Sequence, residues 1–455
     1  MKPEEESRLP VNSAPPLTAR VISPGDHPIT REMINQDALY VMQKLNKAGF
    51  SAYLVGGGVR DLYLDKEPKD FDISTDARPG QIRKLFPHSK TIGRRFRLVQ
   101  VFFRNGHVVE VSTLRSLSEH DLDGPQAVLA PNNTFGSLDQ DAQRRDLTIN
   151  SLFYEIENNT IIDYVNGVED LDHSIIRIVG TPDKRINRDP VRMLRAIRHA
   201  ARNGFTIEEQ SWQAICDNHA KLRLCPPSRL RDETFKDIYS GAAAPWYKLA
   251  VESGIFVDLF QIYRESIYAT MADGTPCRKF LGDIFTMIDR INRVAKENRI
   301  SRQPDYFMLA LILIPWADSS YGLFSEKLKG PVLFQIGKKI RADIDREIGI
   351  QLNLSRAIRQ DIAALLTNLS ALIHNRQNDS WPKWLRRKSY FKQCSVFYNC
   401  YLEAISGKET SSAHLDNVPN THTSPKSTSS KDSPSKRNKP AFAPRSKKGI
   451  FGLKK

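Results

Sequence analysis

The chain has 455 residues, of which 40% are hydrophobic, 26% charged and 9% aromatic; this is too long for one typical domain and ample for a buried core. Its 67 Lys and Arg against 52 Asp and Glu leave a net charge of +15, which favours a polyanionic partner, nucleic acid before membrane. No run of 18 apolar residues and no leading apolar segment occurs, so no membrane association and a soluble cytoplasmic location are expected. Cys216, Cys225, Cys277, Cys394 and Cys400 form no C-x-x-C pair, which argues against a disulfide framework and a cysteine zinc site.

Residues 1–33 are rich in Pro, Ser and charge and read as a loose arm. Ala38, Leu39, Met42, Leu45 and Ala48 recur at helical spacing and predict a helix over 36–49 that stops on Gly49. A strand over 52–55 (AYLV) leads into Gly56, Gly57 and Gly58 and a helix over 58–64. A strand over 70–74 and a Pro-led helix over 79–86 come next. Strands over 97–103 and 107–113 are joined by Arg104-Asn105-Gly106, a strong hairpin signal, and a second hairpin spans 151–165. Beyond about 185 helical patterns take over, among them 190–202. There Val191, Leu194, Ile197 and Ala201 make one stripe and Arg192, Arg195, His199 and Arg202 another, read as a core face and a face toward anions. Residues 407–455 carry 11 Lys or Arg against 3 acids with almost no core formers, and disorder is expected.

The stretch EPKDFDIST (67–75) poses an electrostatic problem. A strand there puts Asp70 and Asp72 on one face. At a separation of ~6 Å and an effective dielectric of about 20, their repulsion is roughly 3 kcal/mol, so the pair calls for a compensating charge. Just upstream, LVGGGVRD (54–61) places a glycine turn between a strand and a helix N-terminus, where backbone can approach an anion, with Arg60 in the first turn. A phosphate cradle beside two same-face carboxylates is what two-metal phosphoryl transfer requires, and Mg²⁺ would supply the missing charge. Two acids qualify as a third: Glu110 within VVEVS, and Asp146, which follows Arg144 and Arg145 in QRRDLTINSLF with Asn150 as polar support.

LVGGGVRD with DFD (70–72), RRDLTIN (144–150) and DPVRMLRAIRH (189–199) resembles the class II nucleotidyltransferases, the CCA-adding tRNA enzymes and bacterial poly(A) polymerases. The resemblance runs in order over roughly 36–260. It implies an α/β nucleotidyltransferase head of mixed sheet and helices, followed by an all-α neck and body. It also implies Mg²⁺ on Asp70 and Asp72, a triphosphate near Gly56, Gly57 and Arg60, Asp146 completing the active site beside the ribose, and base reading by Asp189 and Arg192, while Arg144 and Arg145 are read from their own place before Asp146 as phosphate contacts. The family's neck motif usually begins Glu-Asp, whereas this chain has Arg188-Asp189, so the carboxylate that orients the arginine is missing. TIGRRFRLVQV (91–101) is similar to the poly(A) polymerase branch, and Arg94, Arg95, Arg97 and Arg195 are candidate RNA contacts.

The expected division is a flexible arm to 33, a catalytic head over 34–172, a neck over 173–260, a helical body over 261–406 and a basic tail from 407. The expected activity is template-independent addition of AMP from ATP to RNA 3′ ends, by a monomer that meets RNA and possible RNA-degradation machinery. CCA addition to tRNA is the rival within the family, and a non-catalytic RNA-binding protein the rival outside it. The role of 270–405, which ends on a basic run at Arg386, Arg387 and Lys388, stays open.

Overall fold

Eight short strands, strung along the first 163 residues, assemble into one sheet. The computed structural model describes residues 18–93, 97–116, 135–271, 274–324, 327–377 and 380–408. In chain order the strands are β1 (Arg20–Ile22), β2 (Ala52–Val55), β3 (Asp72–Thr75), β4 (Ser89–Ile92), β5 (Leu98–Phe102), β6 (Val108–Thr113), β7 (Phe153–Glu155) and β8 (Thr160–Asp163). Their order across the sheet is β1-β8-β7-β2-β3-β6-β5-β4. Every neighbouring pair is antiparallel except β3 and β6.

Alternation along the strands sorts the two faces. Ile73, Val99, Val101, Val109 and Val111 are buried against helices α1 (Gln36–Lys47), α2 (Gly57–Tyr63) and α3 (Pro79–Leu85). The opposite face carries Asp72, Ser74, Glu110 and Ser112 on the two central strands. A small buried apolar cluster of Val55, Leu114, Phe153 and Ala142 lies there among the described residues, Ala142 coming from helix α4 (Leu138–Arg144). A polar face therefore remains where chemistry can occur.

Below the head the chain is helical. After α5 (Gly167–Asp172) come the two-residue strand β9 (Ile175–Ile176), α6 (Pro182–Arg188) and α7 (Val191–Asn203). The strand β10 (Thr206–Ile207), which pairs with β9, leads to α8 (Glu209–Asn218), α9 (Pro227–Ile238), α10 (Ala243–Glu252) and α11 (Ile255–Leu259). The body holds α12 (Cys277–Glu297), α13 (Asp305–Ile312), α14 (Ile314–Tyr321), α15 (Gly330–Ile344), α16 (Arg356–Asn375), α17 (Lys383–Arg386) and α18 (Phe391–Ser406). The apolar stripe of α7 is buried as its spacing predicts, with Val191, Leu194 and Ile197 fully enclosed. On its flank Arg198 donates to Asp237 Oδ1 at 2.5 Å and to Glu233 Oε2 at 2.6 Å, tying α7 to α9.

Four readings of the sequence change. Residues 20–22 are not part of a loose arm: they pair with β8, and Ile22 and Ile29 enter the core, apolar residues too sparse among the surrounding Pro and charge to show a period. The catalytic strand begins at Asp72 rather than 70, so Asp70 lies in the approach to it. The helix after the glycines starts one residue early, with Gly57 and Gly58 already helical. Strand β4 was not foreseen, because Ser-Lys-Thr-Ile has no clear alternation. The expected basic tail from 409 onward lies outside the described residues, as do 1–17.

Truncation of Ile197 tests the burial of α7. Ile197→Ala should cost about 3 kcal/mol of stability, read as a lower urea midpoint with unchanged slope, while Arg202→Ala at the half-exposed end of the helix should cost under about 1 kcal/mol.

Candidate active site

The parallel pairing of β3 and β6 brings Asp72 directly opposite Glu110. Although Asp72 keeps an exposed edge, the loss of water where the surrounding groups crowd its carboxyl, then the charges of Glu110 and Asp70, push it up to about 6, with Arg145 pulling the other way. Asp70 and Asp72 stay open to solvent, and Glu110 is half-buried and accepts a hydrogen bond from Gln100 Nε2 at 2.9 Å. Among the described residues no three His, Cys, Asp or Glu side chains form a self-sufficient metal cage. Asp70 and Asp72 nevertheless fit a divalent ion. Magnesium is commonly held by one or two carboxylates plus substrate phosphates, and the excess negative charge at Asp72 is what a dication would relieve.

The glycine turn stands at the end of β2, next to this pair. Gly56 has φ +67° and ψ −129°, a conformation that L side chains rarely adopt, and a Cβ there would meet Arg145 Nη1 at 3.4 Å. Gly58 brings α2 against the Asp70 carbonyl, which a Cβ would approach to 3.6 Å. Arg60 is placed differently from the expectation. Its guanidinium is buried, donating to Asp61 Oδ1 at 2.7 and 2.9 Å and from Nη1 to Asn150 Oδ1 at 2.6 Å. Arg60 thus braces the turn, with Asn150 as its partner.

Arg145 is the cation over the polar face. It donates from Nη2 to Ser74 Oγ at 3.1 Å and to Asp141 Oδ2 at 2.9 Å, and it stacks over Phe153. Arg144 faces the same Asp141 at 3.6 Å, and burial together with Arg115 pushes it down to about 10. Arg185, pushed down to about 9 by burial and then by Arg192 and Arg188, donates to the carbonyls of Gln143 and Arg145, each at 2.8 Å. Arg192 donates to the carbonyls of Arg145 at 2.8 Å and Arg144 at 3.1 Å. Mutually repelling buried arginines beside repelling carboxylates make a site with two poles, one suited to phosphate and one to a metal ion.

Asp146 does not join the carboxylate pair opposite it. Arg195 Nε donates to its Oδ2 at 2.6 Å. Burial alone would raise its pKa, but Arg195 and Arg192 outweigh that and hold the carboxyl well below the usual carboxylate range. Arg195, expected to contact RNA, makes this bond with its side chain still partly exposed. Of the two acids considered third, Glu110 is the one beside Asp72, and Asp146 locks the head to α7. His199, kept neutral by burial and by Arg60, accepts from Arg60 Nη1 at 3.3 Å. The polar stripe of α7 thus faces the protein's own head, which corrects the reading of it as a face for external anions.

Asp189 and Arg192 each keep a buried atom without a hydrogen-bond partner, Oδ1 and Nε. Asp189 Oδ2 accepts from Arg229 Nη2 at 2.8 Å. Arg192 is oriented by two backbone carbonyls, which replace the carboxylate missing at position 188. Arg97 is exposed at the start of β5, whereas Arg94 and Arg95 lie outside the described residues. Asp141, Arg185, Arg229 and Ser74 escaped sequence reasoning. Only Asp141 left a signal, standing three and four residues before Arg144 and Arg145 on one helix face.

The Asp146 bond carries a pH signature. Because its folded pKa is depressed, its contribution is complete above the unfolded carboxylate value of about 4 and fades as pH falls through the lower folded value. Asp146→Asn should therefore lose on the order of 2 kcal/mol at pH 7. The gap to the parent should narrow below about pH 4, as read by urea unfolding across pH.

Two family profiles match the chain, "Poly A polymerase head domain" over residues 52–177 and "Probable RNA and SrmB-binding site of polymerase A" over 204–265. The chain is 39% identical over 313 residues to poly(A) polymerase I of Escherichia coli O6:H1, covering 67% of this chain and 66% of that one. It is 43% identical over 200 residues to the CCA-adding enzyme of Lactobacillus helveticus, covering 44% of this chain and 49% of that one. The chain spans just under two thirds of the length of the poly(A) polymerases it matches. Among solved structures, the Bacillus stearothermophilus CCA-adding enzyme in complex with CTP shares the fold, with TM-score 0.57 and 24% identity over 82% of this chain and 78% of that one. The glycine turn, the carboxylates at its mouth and the arginine-rich neck stand on a fold and within a sequence kinship that agree: the chain carries a poly(A) polymerase-type head and RNA-binding segment and is a homologue of bacterial poly(A) polymerases and CCA-adding enzymes.

Proposed function

We propose that the protein adds AMP from ATP, without a template, to the 3′ ends of RNA. The observation that carries this reading is the Asp72–Glu110 register with Asp70 alongside, next to an open glycine turn and opposite a cluster of arginines. Asp70 and Asp72 would hold Mg²⁺, which when bound supplies charge neutralisation for the triphosphate and a lowered pKa for the attacking 3′-hydroxyl. Gly56 leaves the backbone open to phosphate oxygens, and Arg145, held over Ser74, sets a positive charge beside Asp72. Glu110 stiffens the carboxylate pair from the neighbouring strand through its bond to Gln100. Attack of the RNA 3′ oxygen on the α-phosphorus forms the new phosphodiester and releases pyrophosphate, whose charge Arg144 and Arg185 are positioned to offset. No covalent enzyme intermediate is needed.

Asp189 Oδ1, an acceptor, and Arg192 Nε, a donor, match the N6 and N1 edge of adenine. The same pair matches N4 and N3 of cytosine, and the kinship with CCA-adding enzymes keeps CCA addition to tRNA as a second reading. The longer match to poly(A) polymerases and the arginine-rich segment at 94–97 support adenylation.

A primer-extension gel with each nucleoside triphosphate offered singly separates the readings. Long ladders from ATP alone, dependent on a divalent ion, are expected. A required CTP step with a stop after one adenylate would replace this reading with CCA addition. Asp72→Ala should lower the rate by at least about a thousandfold while the thermal unfolding midpoint stays level or rises, since one of two repelling carboxylates has gone. Residual extension near the parent's rate would sink the assignment. Asp189→Ala and Arg192→Ala should each blur nucleotide choice, read as a fall in the ratio of kcat/KM between ATP and the other three triphosphates.

A further inference from the structure

We propose that the one-turn helix α17 and the residues just after it form a binding platform for single-stranded RNA, with Trp384 as the stacking surface. The proposal rests on RNA being this protein's substrate class, and it concerns a surface outside both matched segments, 52–177 and 204–265. The turn is anchored from inside. Leu385 is fully buried, and Trp381 donates from Nε1 to the Leu372 carbonyl at 3.0 Å while packing edge-on against Phe391 and Tyr398. Capping bonds from Leu385 and Arg386 to the Pro382 carbonyl, at 3.0 and 3.2 Å, close the turn.

The outer side of that rigid turn exposes an indole. Trp384 is 53% exposed, whereas Trp246 and Trp316 are buried and Trp212 and Trp381 are partly covered. Lys383, Arg386, Arg387, Lys388 and Lys392 surround it, all exposed. Among the described residues none of the five has a carboxylate partner, and no Asp or Glu occurs between Lys383 and Leu402. An indole held outward costs hydration and brings nothing to the fold, and five unneutralised cations around it repel one another. Both are relieved by one ligand type. Every base of an unpaired strand offers a π-face to the indole while its phosphates meet the cations, and an unpaired strand is what an RNA 3′ end presents. A duplex, with its bases stacked inward, offers the phosphates alone.

The test measures equilibrium binding of the full chain, without nucleotide, to a labelled single-stranded oligoadenylate of about 20 residues. Binding read this way is independent of turnover, so a parent protein that binds RNA but extends no primer would count against the transferase reading alone. Trp384→Ala should weaken binding about tenfold with an unchanged melting temperature, and Trp384→Phe should restore most of the loss. The double variant Arg386→Ala/Arg387→Ala should reduce the slope of log affinity against log salt by about 1.4. Lys327→Ala/Lys339→Ala, which removes two charges elsewhere on the body, should reduce it by less than half as much. Trp384→Ala within twofold of the parent, or equal slope losses in the two double variants, would overturn the platform. So would a loss confined to duplex RNA or to anionic vesicles.

Discussion

The organisation of this protein depends on one contact, the polar stripe of α7 against the segment 143–150 of the head. Asp146 enters that contact as a buried carboxylate and is matched by Arg195, while Arg185 and Arg192 take up the carbonyls of Gln143, Arg144 and Arg145. Buried backbone acceptors and a buried charge are costly when unpaired, so the head can rest on α7 in few ways that satisfy all of them. Asn150 extends the contact to Arg60 and so to the glycine turn. Asp189 and Arg192, proposed to read the base, and the glycine turn, proposed to receive its phosphates, are consequently tied into a single set of hydrogen bonds.

Charge separation within the site follows from the same contact. The carboxylates lie on the central strands of the head, the arginines on α4, α6 and α7, and Arg145 with Asp141 stands between the two groups. Each pole is strained by itself, as the raised pKa of Asp72 and the lowered pKa values of Arg144 and Arg185 record. A metal-bound triphosphate carries both complementary charges. The site thus complements the charge pattern of the proposed substrate, and the apolar face of α7, tied to α9 through Arg198, anchors the arginine pole in the core.

Seen against this site, the outward Trp384 obeys a different rule. The active site uses buried, oriented and mutually bonded polar groups, which suits the reading of one nucleotide. The α17 surface has exposed and unpaired cations around a single aromatic face, which suits a strand whose sequence does not matter.

Local chemistry made much of this legible from the chain. Gly56 at a positive φ, the Arg104-Asn105-Gly106 hairpin and the apolar stripe of α7 follow from side-chain size and spacing, and these act over a few residues. That two acids stand two residues apart at 70 and 72 is equally local. Which of Glu110 and Asp146 lies beside Asp72 was not legible, because it depends on which strand lies parallel to β3 and in what register, a pairing between segments far apart in the chain. Nor could the sequence indicate that Arg60 would brace Asn150, that Arg185 would reach the carbonyls of 143 and 145, or that the basic face of α7 would point inward. A charged side chain of given spacing can meet water, substrate or its own protein with equal ease, and only tertiary packing, by removing water from one of those directions, selects among them.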